Sequence, residues 1–306
     1  NKNNEEIIFS LLSGRDYKNN EIIYFKHPIP NLIFTRDIAA VIGNTILVNW
    51  GKRKVRNREN IIGKFIFKHH KLFSNSIIYN FHEHHPNHSI EGGDIIVFGN
   101  NIVCIGISER TPKESINALL PLIFNEGFTK VYAIDLPKRR SVMHLDTIFN
   151  RINKDEVIIY PPIFDPRNIN YKPMAIYSIS PNKTLFELEP SDDHFIDLLG
   201  NDFKKIKTIN CGGDKHNNQI REQWTEGANF FAIKPGVIIG YDCNTFTIEA
   251  LKDNGYKHIK SNYFLQNSSE FDINSKLVIT IPASELSRGR GGTRCLTLPI
   301  SRESKK

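Results

Sequence analysis

One pattern constrains the fold of this chain more than any other: a short polar heading followed by two apolar runs divided by a turn, and it occurs four times. NLIFTRD leads into the run from Ile38 to Trp50, which breaks at Gly43-Asn44. Glu91-Gly92-Gly93-Asp94 leads into IIVFGNNIVCIGI, split by a Gly-Asn turn. Met143-His144-Leu145-Asp146 leads into TIFNRINKDEVIIY, turning from Asn153 to Glu156, and Glu222 to Asn229 leads into FFAIKPGVIIGY, turning at Pro235-Gly236. Apolar runs around such turn residues predict β-hairpins. The spacing is 57 residues from Asp37 to Asp94 (94 − 37) and 52 from Asp94 to Asp146 (146 − 94), room for a hairpin, a helix and a further strand. The second unit supplies that helix as an amphipathic stretch from about Lys113 to Phe124. A repeat of this period predicts α/β units set about an axis, with the heading residues pointing to the centre, where polar groups from several units can meet one small ligand.

A second feature lies near the C-terminus, where Ser287 to Ile300 reads SRGRGGTRCLTLPI. Three glycines interleaved with three arginines give a backbone able to take positive φ and approach a ligand closely, and they deliver Cys295 to the mouth of an apolar strand. That arrangement reads as a presented thiol. The thiolate is the nucleophile of cysteine chemistry, and neighbouring arginines are expected to favour the anion.

Length and composition exclude other classes. At 306 residues the chain can bury a large core, and its 24% charged content is that of a globular protein. No apolar run reaches membrane-spanning length and NKNNEE is not a signal peptide, so a cytoplasmic address is expected. Four widely spread cysteines show neither a CxxC pair nor a disulfide framework, and reduced thiols are expected. The formal charge of +7 could suggest nucleic acid, but the lysines are dispersed rather than gathered into a block. Glu5 to Ser13 has helical apolar spacing through Ile7, Ile8, Leu11 and Leu12 and ends at Gly14, a C-cap.

FTRD, EGGD, ISERT, MHLDT, REQWTEGAN and GRGGTRC, in this order from about Pro30 to Ile300, resemble the motif series of arginine deiminases, in the guanidine-modifying superfamily. The resemblance implies the pentein fold, a five-bladed α/β propeller of ββαβ units around a central active site. Members normally carry a first blade, and bacterial forms a helical insertion, ahead of FTRD. The expectation here is that residues 1–27 are a remnant of the helical segment, that residues 28–306 form the catalytic domain, and that part of the first unit is missing. Sequence between Lys260 and Ile281 is expected to be a surface elaboration with strand character in KLVITI.

The same resemblance implies the chemistry. Paired carboxylates are natural holders of a guanidinium, and Asp37 and Asp146 take that part. Cys295 attacks the guanidinium carbon, ammonia leaves, and a covalent S-alkylthiouronium remains. His144 serves as general acid and then general base, with Glu91 orienting it. A bound cation would itself favour the thiolate. Arg56, Arg110 and Arg290 are assigned to the substrate carboxylate, with Asn31 and Gly289 near the amino-acid head and Phe34 against the guanidinium or alkyl chain. Arg53 and Arg58 compete with Arg56 within one basic segment. The expected reaction is L-arginine to L-citrulline and ammonia. The alternatives are an inactive arginine-binding remnant, an agmatine deiminase and an arginine dihydrolase. No cofactor and no metal are expected. The expected partner is the small-molecule substrate, with no nucleic acid and no membrane, and a homo-oligomer is possible.

Other features have plainer readings. Arg36 and Arg288 are expected to hold loops by ion pairs. His82, His84, His85 and His88 lie in a polar loop without the regularity of a metal site. Trp224 is expected to pack, and Cys104, Cys211 and Cys243 to be buried or incidental thiols.

Overall fold

The computed structural model describes residues 2–99, 101–171, 174–179, 187–203, 205–272, 274–283 and 285–302. All four expected hairpins are present. β1 (Ala39–Ile42) and β2 (Thr45–Val48) pair antiparallel, β3 (Ile77–Asn80) lies parallel to β2, and the helix Asn57–His69 connects them. β4 (Ile95–Gly99), β5 (Ile102–Ile107) and β6 (Lys130–Asp135) repeat the plan, with the helix Lys113–Asn125 between the last two. β7 (Phe149–Arg151) and β8 (Glu156–Ile159) form the third hairpin. Before its closing strand the chain adds β9 (Ile176–Ile179) and β10 (Glu189–Ser191) to the free edge of β6. β11 (Lys207–Asn210) then pairs parallel with β8. β12 (Phe231–Lys234) and β13 (Val237–Tyr241) open the fourth unit. Gly43, at φ 59, occupies the turn of the first hairpin in the left-handed region where a side chain is costly.

The fourth unit corrects one expectation. After β13 the helix Thr245–Asp253, β14 (Lys257–Lys260) and the helix Ser261–Gln266 precede β15 (Leu277–Ile281). β15 lies between β13 and β14, parallel to both, with Val278 fully buried. KLVITI is therefore a central strand, and only the Ser261–Gln266 region is a surface addition. An unbroken apolar run is what a strand covered on both faces requires.

Shared cores join the units in chain order. Ile42, Leu47 and Phe81 pack with Val103 and Ile105, Phe98 with Phe149 and Ile159, and Ile152 and Ile158 with Phe230 and Ile238. Each such buried side chain contributes about 1.5–3 kcal/mol. The segment after Cys295 returns to the first unit, where Leu298 packs on the cluster around Ile38 and Arg302 Nε donates to the Val41 carbonyl at 2.7 Å.

The N-terminal helix forms over Asn4–Ser13, ended by Gly14 at φ 77. It is held by a capping box in which Asn3 N–H donates to Glu6 Oε2 at 3.1 Å and Glu6 N–H to Asn3 Oδ1 at 2.8 Å. Its isoleucines, Ile7 and Ile8, face outward, while Glu6 and Ser10 are the buried positions. The apolar spacing thus predicted the element but not its buried side. Among the described residues no helix is long and apolar enough to cross a membrane.

Candidate active site

Three of the four hairpin headings fold as a tight turn before the first strand, while the fourth begins at the end of the helix His216–Trp224. Thr35–Asp37, Gly92–Asp94 and Leu145–Thr147 are single 3-10 turns. Asp37, Glu91, His144 and Asp146 leave these turns buried, and Cys295 arrives from the C-terminal segment, also buried. Five residues from four stretches of chain thus meet.

Their contacts form two groups, one around His144 and one around Asp146. His144 Nε2 lies 2.8 Å from Glu91 Oε2, and His144 Nδ1 3.8 Å from Asp37 Oδ1. Asp37 Oδ1 also accepts the Gly93 N–H at 3.0 Å. A Cβ on Gly93 would stand 2.5 Å from His144 Nδ1, so only glycine lets the imidazole sit here. Cys295 Sγ is 3.9 Å from Asp146 Oδ2, which accepts from Arg294 at 2.6 Å. Asp146 Oδ1 is buried with no hydrogen-bond partner, which leaves an acceptor available.

Electrostatics follow from this crowding. Burial lowers the pKa of His144, but Asp37, Asp94 and Glu91 outweigh it and raise the imidazole to about 10. Burial raises Asp37, and the charges of His144 and Arg56 more than reverse it, holding the carboxyl at about 2. Glu91 is lowered in the same way, by its bond to His144 against burial. Cys295 goes the other way: burial, then Asp146, Glu226 and Asp37, push the thiol well above its ordinary value. The expected arginine-stabilised thiolate is thus not the resting state, because the acids outweigh the arginines around the sulfur.

Asp37, Glu91 and His144 also offer ligand atoms within 4.8 Å of one another, enough to surround a cation. The protonated imidazole is itself such a cation, satisfying both acids.

The remaining expected residues lie around this cluster. Phe34 is buried against the glycine loop; a Cβ on Gly291 would come within 2.1 Å of its ring and one on Gly289 within 3.0 Å. Arg56 donates to Asp37 Oδ2 at 2.5 Å and to Glu59 Oε2 at 2.7 Å. Arg110 donates to Glu109 at 3.0 Å and lies 3.5 Å from Glu91 Oε1. Arg290 donates to the carbonyls of Trp224 and Ser141. Its guanidinium stacks 4.3 Å from the Trp224 ring, so Trp224 packs as expected but on an arginine. Asn31 sits in the turn Pro30–Ile33, its carbonyl accepting from Phe34 N–H at 2.9 Å. Arg288 makes the expected surface ion pair, with Glu285 at 3.2 Å. Arg36 does not; it bonds the Arg294 carbonyl at 3.2 Å and Thr297 Oγ1 at 2.8 Å. His82 stacks on Trp50 and His84 on Tyr79, and Tyr79 Oη lies 3.0 Å from His85 Nε2. Cys104 and Cys211 are buried, and burial raises both thiols.

Two residues inside REQWTEGAN carry roles that the sequence did not assign. Asn229 Oδ1 accepts from Cys295 N–H at 3.2 Å and Arg294 N–H at 3.1 Å, while its Nδ2 donates to the Asp146 carbonyl at 3.0 Å. One amide thereby fixes the sulfur relative to an acid. Glu226 is buried at φ 65, 3.5 Å from Arg290, with both carboxylate oxygens lacking a hydrogen bond. Burial raises it to about 7 despite Arg290. The only sequence signal for either was membership of a polar heading.

Glu226 yields a stability prediction. Its folded pKa lies above the ordinary value of 4.5, so the folded state binds the proton more tightly. The associated stability is complete below about pH 4.5 and is lost as pH rises through about 7. Glu226→Gln is expected to raise unfolding free energy at pH 7.5 by up to about 3 kcal/mol. It should also flatten the decline between pH 5 and 8, leaving the share of Asp94, which burial also raises to about 7. Urea unfolding across that range checks this; an unchanged slope would contradict it.

A family model described as arginine deiminase matches residues 2–302. An arginine deiminase from Mycoplasma capricolum subsp. capricolum is 36% identical over 289 residues, covering 92% of this chain and 64% of that protein. One from Streptococcus agalactiae serotype V is 37% identical over 282 residues, covering 90% and 62%. One from Streptococcus pneumoniae strain P1031 is 33% identical over 324 residues, covering 99% and 72%. The chain spans slightly less than two thirds of the length of the first two. Among solved structures, the N-terminal domain of ArgZ covalently bound to a reaction intermediate has a TM-score of 0.60 at 18% identity, covering 89% of this chain and 76% of that one. A dimethylarginine dimethylaminohydrolase adduct with S-methyl-L-thiocitrulline has a TM-score of 0.56 at 14% identity, covering 88% and 77%. At these identities the likeness shows the fold alone, the pentein fold expected from the motifs.

Proposed function

Because the chain belongs to the arginine deiminase family, we propose that it hydrolyses the guanidinium of free L-arginine to L-citrulline and ammonia through an intermediate bound to Cys295. The observation that carries this is a buried sulfur 3.9 Å from one carboxylate, together with an imidazole that bridges two others, one of which, Asp37, also acts electrostatically on that sulfur. Such a site has an excess of acids for a flat cation and a nucleophile at its edge.

The steps follow from the protonation states. The guanidinium donates N–H groups to Asp146, through the unpartnered Oδ1, and to Asp37. Its positive charge beside Sγ offsets the three acids that hold the thiol neutral, and the thiol proton leaves to solvent. The thiolate adds to the guanidinium carbon, giving a tetrahedral adduct. His144, protonated through the neutral range, gives its proton to the departing nitrogen, and ammonia leaves as the carbon–nitrogen bond breaks. The neutral imidazole then takes a proton from water, whose oxygen adds to the thiouronium carbon. The adduct's hydroxyl loses its proton to solvent as the carbonyl forms, the carbon–sulfur bond breaks to return the thiolate, and citrulline is released.

Arg56, Arg110 and Arg290 are the proposed partners of the substrate carboxylate, each exchanging an internal acceptor for it. Asn31 and Gly289 serve the amino-acid head, and Phe34 covers the alkyl chain. Residues 28–306 are the proposed catalytic domain and residues 1–27 a helical appendage. The proposed setting is cytoplasmic, with neither nucleic acid nor membrane involved.

The direct test is incubation with L-arginine and product analysis. One citrulline per ammonia supports the proposal. Ornithine with two ammonia would indicate a dihydrolase, and binding without ammonia an inactive remnant.

The resting thiol makes a second prediction. Its pKa lies well above 9.0, so iodoacetamide labelling of Cys295 in the ligand-free protein should rise with pH past 9 without a plateau. A plateau below about pH 8 would mean a preformed thiolate.

A further inference from the structure

The hairpin turns of all four units line one cavity of about 860 Å³, through Asn44, Gly99, Asn153 and Pro235. Each heading lies at the start of its unit's first strand and each turn at the end, so this cavity opens at the far ends of the strands from the catalytic cluster. Cys295, His144, Glu91 and Asp37 do not line it.

Its chemistry is cationic. Arg36, Arg294 and Arg302 reach into it together with Arg151 and Lys234, against one carboxylate, Glu126. Glu126 is already engaged, accepting from Asn44 N–H at 2.7 Å and from the Thr45 hydroxyl. Arg294 is paired with Asp146 at 2.6 Å. Arg36 and Arg302 have no such partner among the described residues: Arg36 bonds a carbonyl and a hydroxyl, and Arg302 bonds the Val41 carbonyl. Neutral acceptors satisfy N–H groups but leave the charge uncompensated, and a buried cation without a counter-charge is costly. The strain is visible in the guanidinium of Arg36, whose pKa is depressed by burial and then by repulsion from Arg294, against a smaller opposing pull from Asp146.

We propose that this cavity is a binding site for a small oxyanion, such as inorganic phosphate, held by Arg36 and Arg302 with Arg294 behind them. Guanidinium forks donate parallel N–H bonds to paired oxygens, and an oxyanion supplies both the acceptors and the missing negative charge. Arg36 is buried and fixed through its Nε and one terminal nitrogen, which orients the rest of its fork in advance. Arg302, exposed at the rim, can close on the ligand. Neither Arg36 nor Arg302 takes part in the proposed hydrolysis, and Arg294 touches it only through its pair with Asp146.

The test is isothermal titration calorimetry of the 306-residue chain with sodium phosphate at constant ionic strength set by chloride. Saturable binding is expected, at least about tenfold weaker in Arg302→Ala and intermediate in Arg302→Lys, which keeps the charge and loses the fork. Because Arg302 is at the rim, its variants are expected to melt with the parent protein. In a Cys295→Ala background, excess L-arginine should leave phosphate binding unchanged. Three outcomes would each overturn the proposal: no saturable binding, equal binding by Arg302→Ala, or displacement of phosphate by L-arginine, which would move the anion to the catalytic arginines.

Discussion

Cys295→Ala is expected to lower citrulline formation by at least about 10⁴-fold while leaving the fold intact. A loss of that size corresponds to roughly 5.5 kcal/mol of barrier, which only removal of the covalent route supplies. The fold should survive because the backbone of residue 295 makes the structural contacts: its N–H donates to Asn229 Oδ1 at 3.2 Å and its carbonyl accepts from Arg36 N–H at 3.1 Å. The alanine protein should still bind L-arginine, since the acids that hold the cation remain. Calorimetry with L-arginine, a melting curve and a citrulline assay separate these effects. Residual activity within tenfold of the parent would mean that the sulfur is not the nucleophile.

His144→Gln is expected to cost about 10³-fold in kcat, in the range typical of a lost general acid and base. Glutamine roughly preserves volume and can still donate to Glu91, so positioning survives while proton transfer does not. The parent protein is expected to show a diagnostic limb. With the imidazole raised to about 10 in the ligand-free protein, it is protonated throughout the neutral range, and kcat/KM should fall as pH rises through about 10. That limb should be absent from the variant. A variant that keeps the same alkaline limb would assign it to another group.

The parts of this molecule that were legible in its sequence are those fixed by local chemistry. Gly43, the Gly99 region and Gly236 mark turns because their backbone needs positive φ, and those turns set three of the four hairpins. Asp37, Glu91, His144 and Asp146 stand in polar headings before strands, and it was the resemblance of FTRD, EGGD and MHLDT to a family's motif series that gave them expected roles. What was hidden depends on partners distant in sequence. Strand character in KLVITI was visible, but its place between two other strands is decided by pairing with β13 and β14. The headings announced acids but not their balance, so the neutral Cys295 thiol emerged only when burial, Asp146, Glu226 and Asp37 were brought together around it. Glu226 and Asn229 stood in a recognised motif, yet a buried carboxylate without hydrogen bonds and an amide bridging Cys295 to Asp146 are three-dimensional facts. Ile7 and Ile8 show the converse, since helical periodicity identifies a face without saying that anything covers it.

At the centre of this account is an acid-lined pocket in which a buried sulfur forms a bond to the carbon of a cation that itself brings the sulfur to reactivity. Rapid acid quenching of the protein during turnover with L-arginine, followed by intact-mass measurement and peptide mapping, tests it most directly. The account predicts a transient mass gain equal to arginine less one ammonia, located on the peptide containing Cys295 and absent from Cys295→Ala. Citrulline accumulating with no adduct at any quench time, and at the same rate in Cys295→Ala, would contradict it.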